Sequence, residues 1–242
     1  MNTFYAALLS PEEKYISLAG GGGKSVLIHK ICQECVQQDK TVVVMSIFPL
    51  YIPLESKTVI STDTDIIKTQ VERELEKNNP VYLGSKFGEK RIEGFKPGQV
   101  KKLLPDISAD HIFIKADNTQ GRSISGLDNF NISVARETQR LIFVLGAEAF
   151  NQEKQEKFIS TSDAYWKSKT ALDPVDIADW YLNHKVFKTL AQKKIPMTIF
   201  INMVEDIFHE NLTIAFARKI KLAGIDRVVY GSVFNSEFHI VK

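Results

Sequence analysis

Ile16-Ser17-Leu18-Ala19-Gly20-Gly21-Gly22-Gly23-Lys24-Ser25 decides how this chain is read. The stretch begins as an apolar strand, breaks into four glycines and ends on a Lys-Ser pair that opens a helix. Glycine lets the backbone pass close to a ligand where a Cβ would clash. The helix that follows points its positive end at the same spot. The pattern is that of a phosphate-binding loop, a P-loop. Gly20, Gly21, Gly22 and Gly23 are its cradle, Lys24 reaches β- and γ-phosphate oxygens, and Ser25 offers a hydroxyl to Mg²⁺. The spacing G-x-x-x-x-G-K-[ST] is broken at one place, where Leu18 stands for the first glycine. The dinucleotide fingerprint G-x-G-x-x-G fails, since its third glycine falls on Ser25 and no clear acid ends a second strand. A glycine turn that binds nothing is the plain alternative, and four glycines directly before Lys-Ser argue against it.

The rest of the chain supplies the sheet such a loop requires. Apolar, β-branched runs at 15–19, 41–46, 111–116, 139–145, 196–202 and 227–233 read as strands, with shorter ones at 57–61 and 81–84. Between them lie helical periods at 24–38, 63–77, 97–104, 174–182, 184–193 and 212–223, and a polar helical stretch at 147–160. Thr62 or Asp63, Asp173 and Asn183 are the expected caps, and Gly224 the expected stop. Asn78-Asn79-Pro80 ends one helix, 87–95 reads as a turn or hairpin, and 237–241 as an edge strand. Residues 118–129 read as an exposed loop. Alternation from end to end predicts an α/β fold, P-loop NTPase-like, with a mostly parallel sheet and helices on both faces. The 242 residues fit a single P-loop-type domain over 1–242, with the polar helices of 147–194 as a candidate helical subdomain.

Composition narrows the function. Hydrophobic residues at 44% and charged residues at 25% are ordinary for a globular protein. A net charge of +2 gives no field that argues for nucleic acid or a membrane surface. No apolar run approaches the ~20 residues of a membrane span, and the start lacks a secretory pattern, so a cytoplasmic location is expected. Cys32 and Cys35 form C-x-x-C but fall on the apolar stripe Leu27, Ile28, Ile31, Cys32, Cys35, Val36, which points them at the core. No second pair completes a zinc site. H-E-x-x-H and G-x-S-x-G are both missing.

Ligands of such sheets bind at the carboxyl ends of strands. Asp117 follows a buried strand, where P-loop proteins hold Mg²⁺. Arg122 stands beside it to meet phosphate charge, although a surface arginine is nearly as good a reading. Asn202 and Glu205 follow another strand with the spacing to read a nucleobase edge, against the plain alternative of turn chemistry before a helix.

These residues resemble a family, the accessory proteins of selenium-dependent molybdenum hydroxylases called YqeC-like. Its pattern I-S-L-V-G-A-G-G-K-T-T stands here as Ile16 to Val26, including the missing first glycine. Its V-E-A-D-G-(x)₂-G-R-P-L-K resembles Ile114 to Ser125, its P-x-D-I-A resembles Pro174 to Ala178, its N-K-V-D resembles Asn202 to Glu205, and its G-(x)₃-R-V-V-x-G-S resembles Gly224 to Ser232. The resemblance implies a P-loop fold that binds ATP or GTP with Mg²⁺ and serves the maturation of a molybdenum hydroxylase. The implied partner is the hydroxylase or a cofactor-insertion protein.

The departures bear on chemistry. Lys115 replaces the family's Glu, Met45-Ser46-Ile47-Phe48 replaces a threonine run with a lysine, and Met203 replaces the lysine of N-K-V-D. Retained nucleotide binding with weakened or altered catalysis is expected. Two readings stay open: an NTPase or phosphoryl or nucleotidyl transferase using Lys24, Asp117 and Arg122, and a nucleotide-gated assembly module with little hydrolysis. A dinucleotide oxidoreductase is a weak third.

Overall fold

The computed structural model describes residues 3–53, 56–77, 79–88, 91–127, 132–153, 157–159, 163–192 and 194–242. The chain divides into two compact units. One comprises Met1–Leu18, Ser25–Asp117 and Ser133–Arg140, the other Ala19–Lys24, Asn118–Ile132 and Leu141–Lys242.

In the first unit the strands are β1 (Tyr15–Gly20), β2 (Val42–Ser46), β3 (Lys57–Ile60), β4 (Val81–Gly84) and, after the short hairpin of β5 (Lys86–Phe87) and β6 (Ile92–Glu93), β7 (His111–Lys115). Their order is β1-β7-β2-β4-β3, and every pair is parallel. Alternation along each strand sends side chains to two faces. Val43, Met45, Leu83, Ile112 and Ile114 pack on Ile67, Val71 and Leu75 of α3 (Thr64–Leu75) and Val100 and Leu103 of α4 (Pro97–Leu103). The opposite face carries His111, which bonds Tyr5 of α1 (Phe4–Leu8), and Tyr82, which lies near Cys32 of α2 (Lys24–Val36). Helices on both faces explain why these strands are near-continuous apolar runs.

In the second unit β8 (Arg140–Gly146), β9 (Met197–Asn202) and β10 (Arg227–Ser232) run parallel, and β11 (Glu237–Ile240) adds an antiparallel edge. Phe143 of β8 meets Tyr181 of α5 (Pro174–Asn183) at 5.2 Å and Phe187 of α6 (Lys185–Gln192) at 5.7 Å, both edge-on. α7 (Ile207–Leu222) packs Phe216 on Phe150 at 5.5 Å.

Three local expectations are corrected. The described part of 147–160 holds a 3₁₀ turn at Ala147–Ala149 and then turn and bridge structure, with Leu172 donating to the Gln152 carbonyl. α7 starts five residues earlier than 212, because Asp206 caps it by accepting from the His209 amide. Asn183 is the last residue of α5 and not the cap of α6; its amide turns back to the Asp179 carbonyl. Asp63 and Asp173 do cap α3 and α5, and Gly224 follows α7 at φ 85°. Residues 129, 160 and 193, which close three of the expected stretches, and residue 78, which opens the expected stop Asn78-Asn79-Pro80, lie outside the described residues.

Candidate functional site

The glycine loop leaves the carboxyl end of β1 and enters α2. Gly20, Gly22 and Gly23 have φ of 100°, 64° and 98°, which side chains other than glycine rarely adopt. Space is equally tight. A Cβ on Gly20 would run into the Val144 backbone, on Gly21 into Arg122 and Ser123, and on Gly22 into Leu145 and Gly146. Gly20, Gly21 and Gly22 are therefore fixed by backbone packing, while Gly23 stands against the Asn202 side chain.

Two amides of the loop are committed. Gly21 N–H donates to the Val144 carbonyl at 2.8 Å and Gly22 N–H to the Arg122 carbonyl at 3.1 Å. The first amides of an α-helix lack a carbonyl one turn back, so the helical end of a glycine loop can offer donors to an anion. Lys24 is 5% exposed. Its ammonium folds back over the loop onto the Gly20 carbonyl and lies 3.4 Å from the Thr119 hydroxyl. A buried cation over a glycine loop at a helix N-terminus is an arrangement that can take an anion.

Asn202, at the end of β9, is buried and uses both ends of its amide. Nδ2 donates to the Gly22 carbonyl at 2.8 Å, and Oδ1 accepts from the Val233 amide at 3.0 Å. It braces the loop from the side. Glu205 is exposed, accepts from the Ser232 hydroxyl at 3.2 Å, and lines an open cleft of about 240 Å³ with Glu210, Tyr230 and His239. Arg122 touches the loop through its carbonyl, while its guanidinium lies on its own turn, 3.0 Å from Gln120 Oε1 and 3.4 Å from the Thr119 carbonyl.

The segment expected as an exposed loop at 118–129 is exposed only at Gln120 and Gly121 among its described residues; Ser123, Ile124, Ser125 and Leu127 are buried. Ser123 donates to Glu148 at 2.5 Å. Thr119, Ser123 and Glu148 escaped the sequence reading. Their signal was position, since Glu148 stands two residues beyond the end of β8.

In the first unit, Ser25 is half-buried at the start of α2 and Asp117 is fully buried two residues after β7. A hydroxyl and a carboxylate are the hard oxygen donors that Mg²⁺ takes, and it needs few of them because water and phosphate fill the rest. Lys115 is also buried and donates to the Pro49 carbonyl at 2.8 Å. Cys32 and Cys35 are fully buried, and burial pushes both thiols up, Cys35 to about 12.

The family model described as YqeC protein matches residues 16–163, from the strand that feeds the glycine loop to the segment beyond Glu148. This chain belongs to the YqeC family. No curated protein matches it. Among solved structures it is similar to the signal recognition particle 54 kDa protein from Aeropyrum pernix K1 in complex with GDP, at 12% identity and a TM-score of 0.43. That match covers 99% of this chain and 46% of the other, so the chain spans about half the length of its structural neighbour. Lys115, where the resemblance has a glutamate, is turned to a backbone carbonyl. None of its described helices is long and apolar enough to cross a membrane.

Proposed function

We propose that this YqeC-family chain binds a nucleoside triphosphate, ATP or GTP, with Mg²⁺, at the loop Gly20–Gly23 and Lys24. The observation that carries the reading is Lys24: an ammonium 5% exposed, folded onto the loop it would leave to meet phosphate oxygens. Ser25 and Asp117 would hold the Mg²⁺, which neutralises phosphate charge when bound. The α2 amides orient the anion, Lys24 offsets its charge, and Asn202 keeps the loop in shape. Hydrolysis, where it occurs, rests on positioning and charge with no covalent nucleophile required. Arg122 would meet developing charge after its guanidinium leaves Gln120.

A second reading, a nucleotide-gated assembly module with little turnover, is favoured by that Arg122 geometry and by Lys115, whose cation is spent on Pro49. In either reading the family context is the maturation of a selenium-dependent molybdenum hydroxylase. The proposed partner is the hydroxylase or a cofactor-insertion protein, in the cytoplasm, with no role for nucleic acid or membrane. Calorimetric titration with ATP and GTP, with and without Mg²⁺, tests the reading. Saturable binding that strengthens with Mg²⁺ supports it, and no heat with either nucleotide defeats it.

A further inference from the structure

Among the described aromatic side chains Phe234 is the most exposed, at 88%, on the turn between β10 and β11. That turn is held in place. Val233 N–H donates to Asn202, Asn235 N–H donates to the Ser232 hydroxyl at 3.2 Å, and the same hydroxyl bonds Glu205. The Ser236 amide closes the turn onto the Val233 carbonyl at 3.3 Å. Asn202 in turn grips Gly22 of the glycine loop. One amide side chain therefore fixes the loop on one hand and the residue before Phe234 on the other.

A second observation lies between them. Met203 holds φ at 63°, an unfavourable value for a side chain with a Cβ, and such strain persists where the surroundings impose it. It lays its thioether against the loop. A Cβ on Gly23 would be 3.7 Å from the Met203 methyl, and one on Gly146 would be 3.1 Å from its sulfur. The apolar surface beside the loop thus starts at Met203, where the family carries a lysine, and the pinned turn presents an aromatic face.

We propose that Phe234 is the platform on which the base of the bound nucleotide stacks. This rests on the reading that the glycine loop takes the nucleotide's phosphates. Stacking tolerates any base because every base has a π face. Glu205, tied to the same turn, offers acceptors to donors on the base edge. The ligand class is a nucleotide held by its phosphates at one end and by a ring face at the other.

The test compares Mg-ATP, Mg-GTP and inorganic tripolyphosphate with Mg²⁺ on wild type, Phe234→Ala, Phe234→Trp and Lys24→Ala. Phe234→Ala should weaken both nucleotides about tenfold and leave tripolyphosphate within about twofold of wild type, and Phe234→Trp should restore the nucleotides. Lys24→Ala should weaken all three ligands. Nucleotide affinity unchanged in Phe234→Ala, with tripolyphosphate still bound, overturns the stacking platform and leaves the P-loop reading standing. A wild type that binds neither tripolyphosphate nor nucleotide removes both.

Discussion

The side-chain amide of Asn202 donates to the carbonyl oxygen of Gly22 at 2.8 Å across 180 residues of sequence. The end of β9 thereby fixes the shape of a loop that begins at β1. Asn202→Ala leaves two buried backbone groups, the Gly22 carbonyl and the Val233 amide, without these partners. We expect a loss of about 2 kcal/mol in stability by urea denaturation. A larger fractional loss is expected in nucleotide affinity than Ser232→Ala causes, because the loop itself loosens.

The glycines separate by environment. Gly22→Ala sets a Cβ into the Leu145–Gly146 backbone at positive φ and should cost about 3 kcal/mol. Gly121→Ala also has positive φ, 84°, but open space around it, and should cost about 1 kcal/mol. Chemical denaturation of the two variants checks the order. Equal costs would mean that strain alone, and not backbone crowding, demands glycine in the loop.

Much of this was legible from the chain. The glycine loop before Lys24, the buried strands and the caps Asp63 and Asp173 are local signals, and the fold follows from their alternation. The stretch 147–160 misled because Ala, Glu, Gln and Lys favour helices, whereas Asn151 sits at φ 59° and the backbone pairs with Leu172, a partner set by tertiary structure. The bracing role of Asn202 was hidden for the same reason. Its spacing to Glu205 pointed to a ligand edge, and only folding shows that its amide serves Gly22 and Val233.

Acid should weaken the first unit through His111. The ring is fully buried, its Nδ1 lies 2.8 Å from the Glu13 carbonyl, and its Nε2 lies 3.1 Å from the Tyr5 hydroxyl. Burial holds its pKa below the usual 6.5; Asp110 and Glu13 pull it upward and Lys40 downward. The unfolded chain therefore binds a proton that the folded chain refuses, so stability is full above about 6.5 and falls as pH drops toward the folded value. Urea midpoints should decline from pH 7.5 to 5.5 in wild type and decline less in His111→Gln. An equal decline in both would assign the effect elsewhere.

Glu13 and Arg140 form a buried ion pair at 2.7 Å. Removing one partner leaves a buried charge, so Glu13→Ala should cost about 3 kcal/mol. Glu13→Ala combined with Arg140→Leu should cost less than the two single changes added together. Additive losses in denaturant melts would show that the two charges do not depend on each other.

The central claim is tested most directly by thermal denaturation of wild type and Lys24→Ala with Mg-ATP or Mg-GTP. A ligand at a hundred times its Kd stabilises by about 2.7 kcal/mol. The account predicts a rise in Tm with a nucleoside triphosphate that disappears in Lys24→Ala. No rise with either nucleotide, or the same rise in the variant, would contradict it.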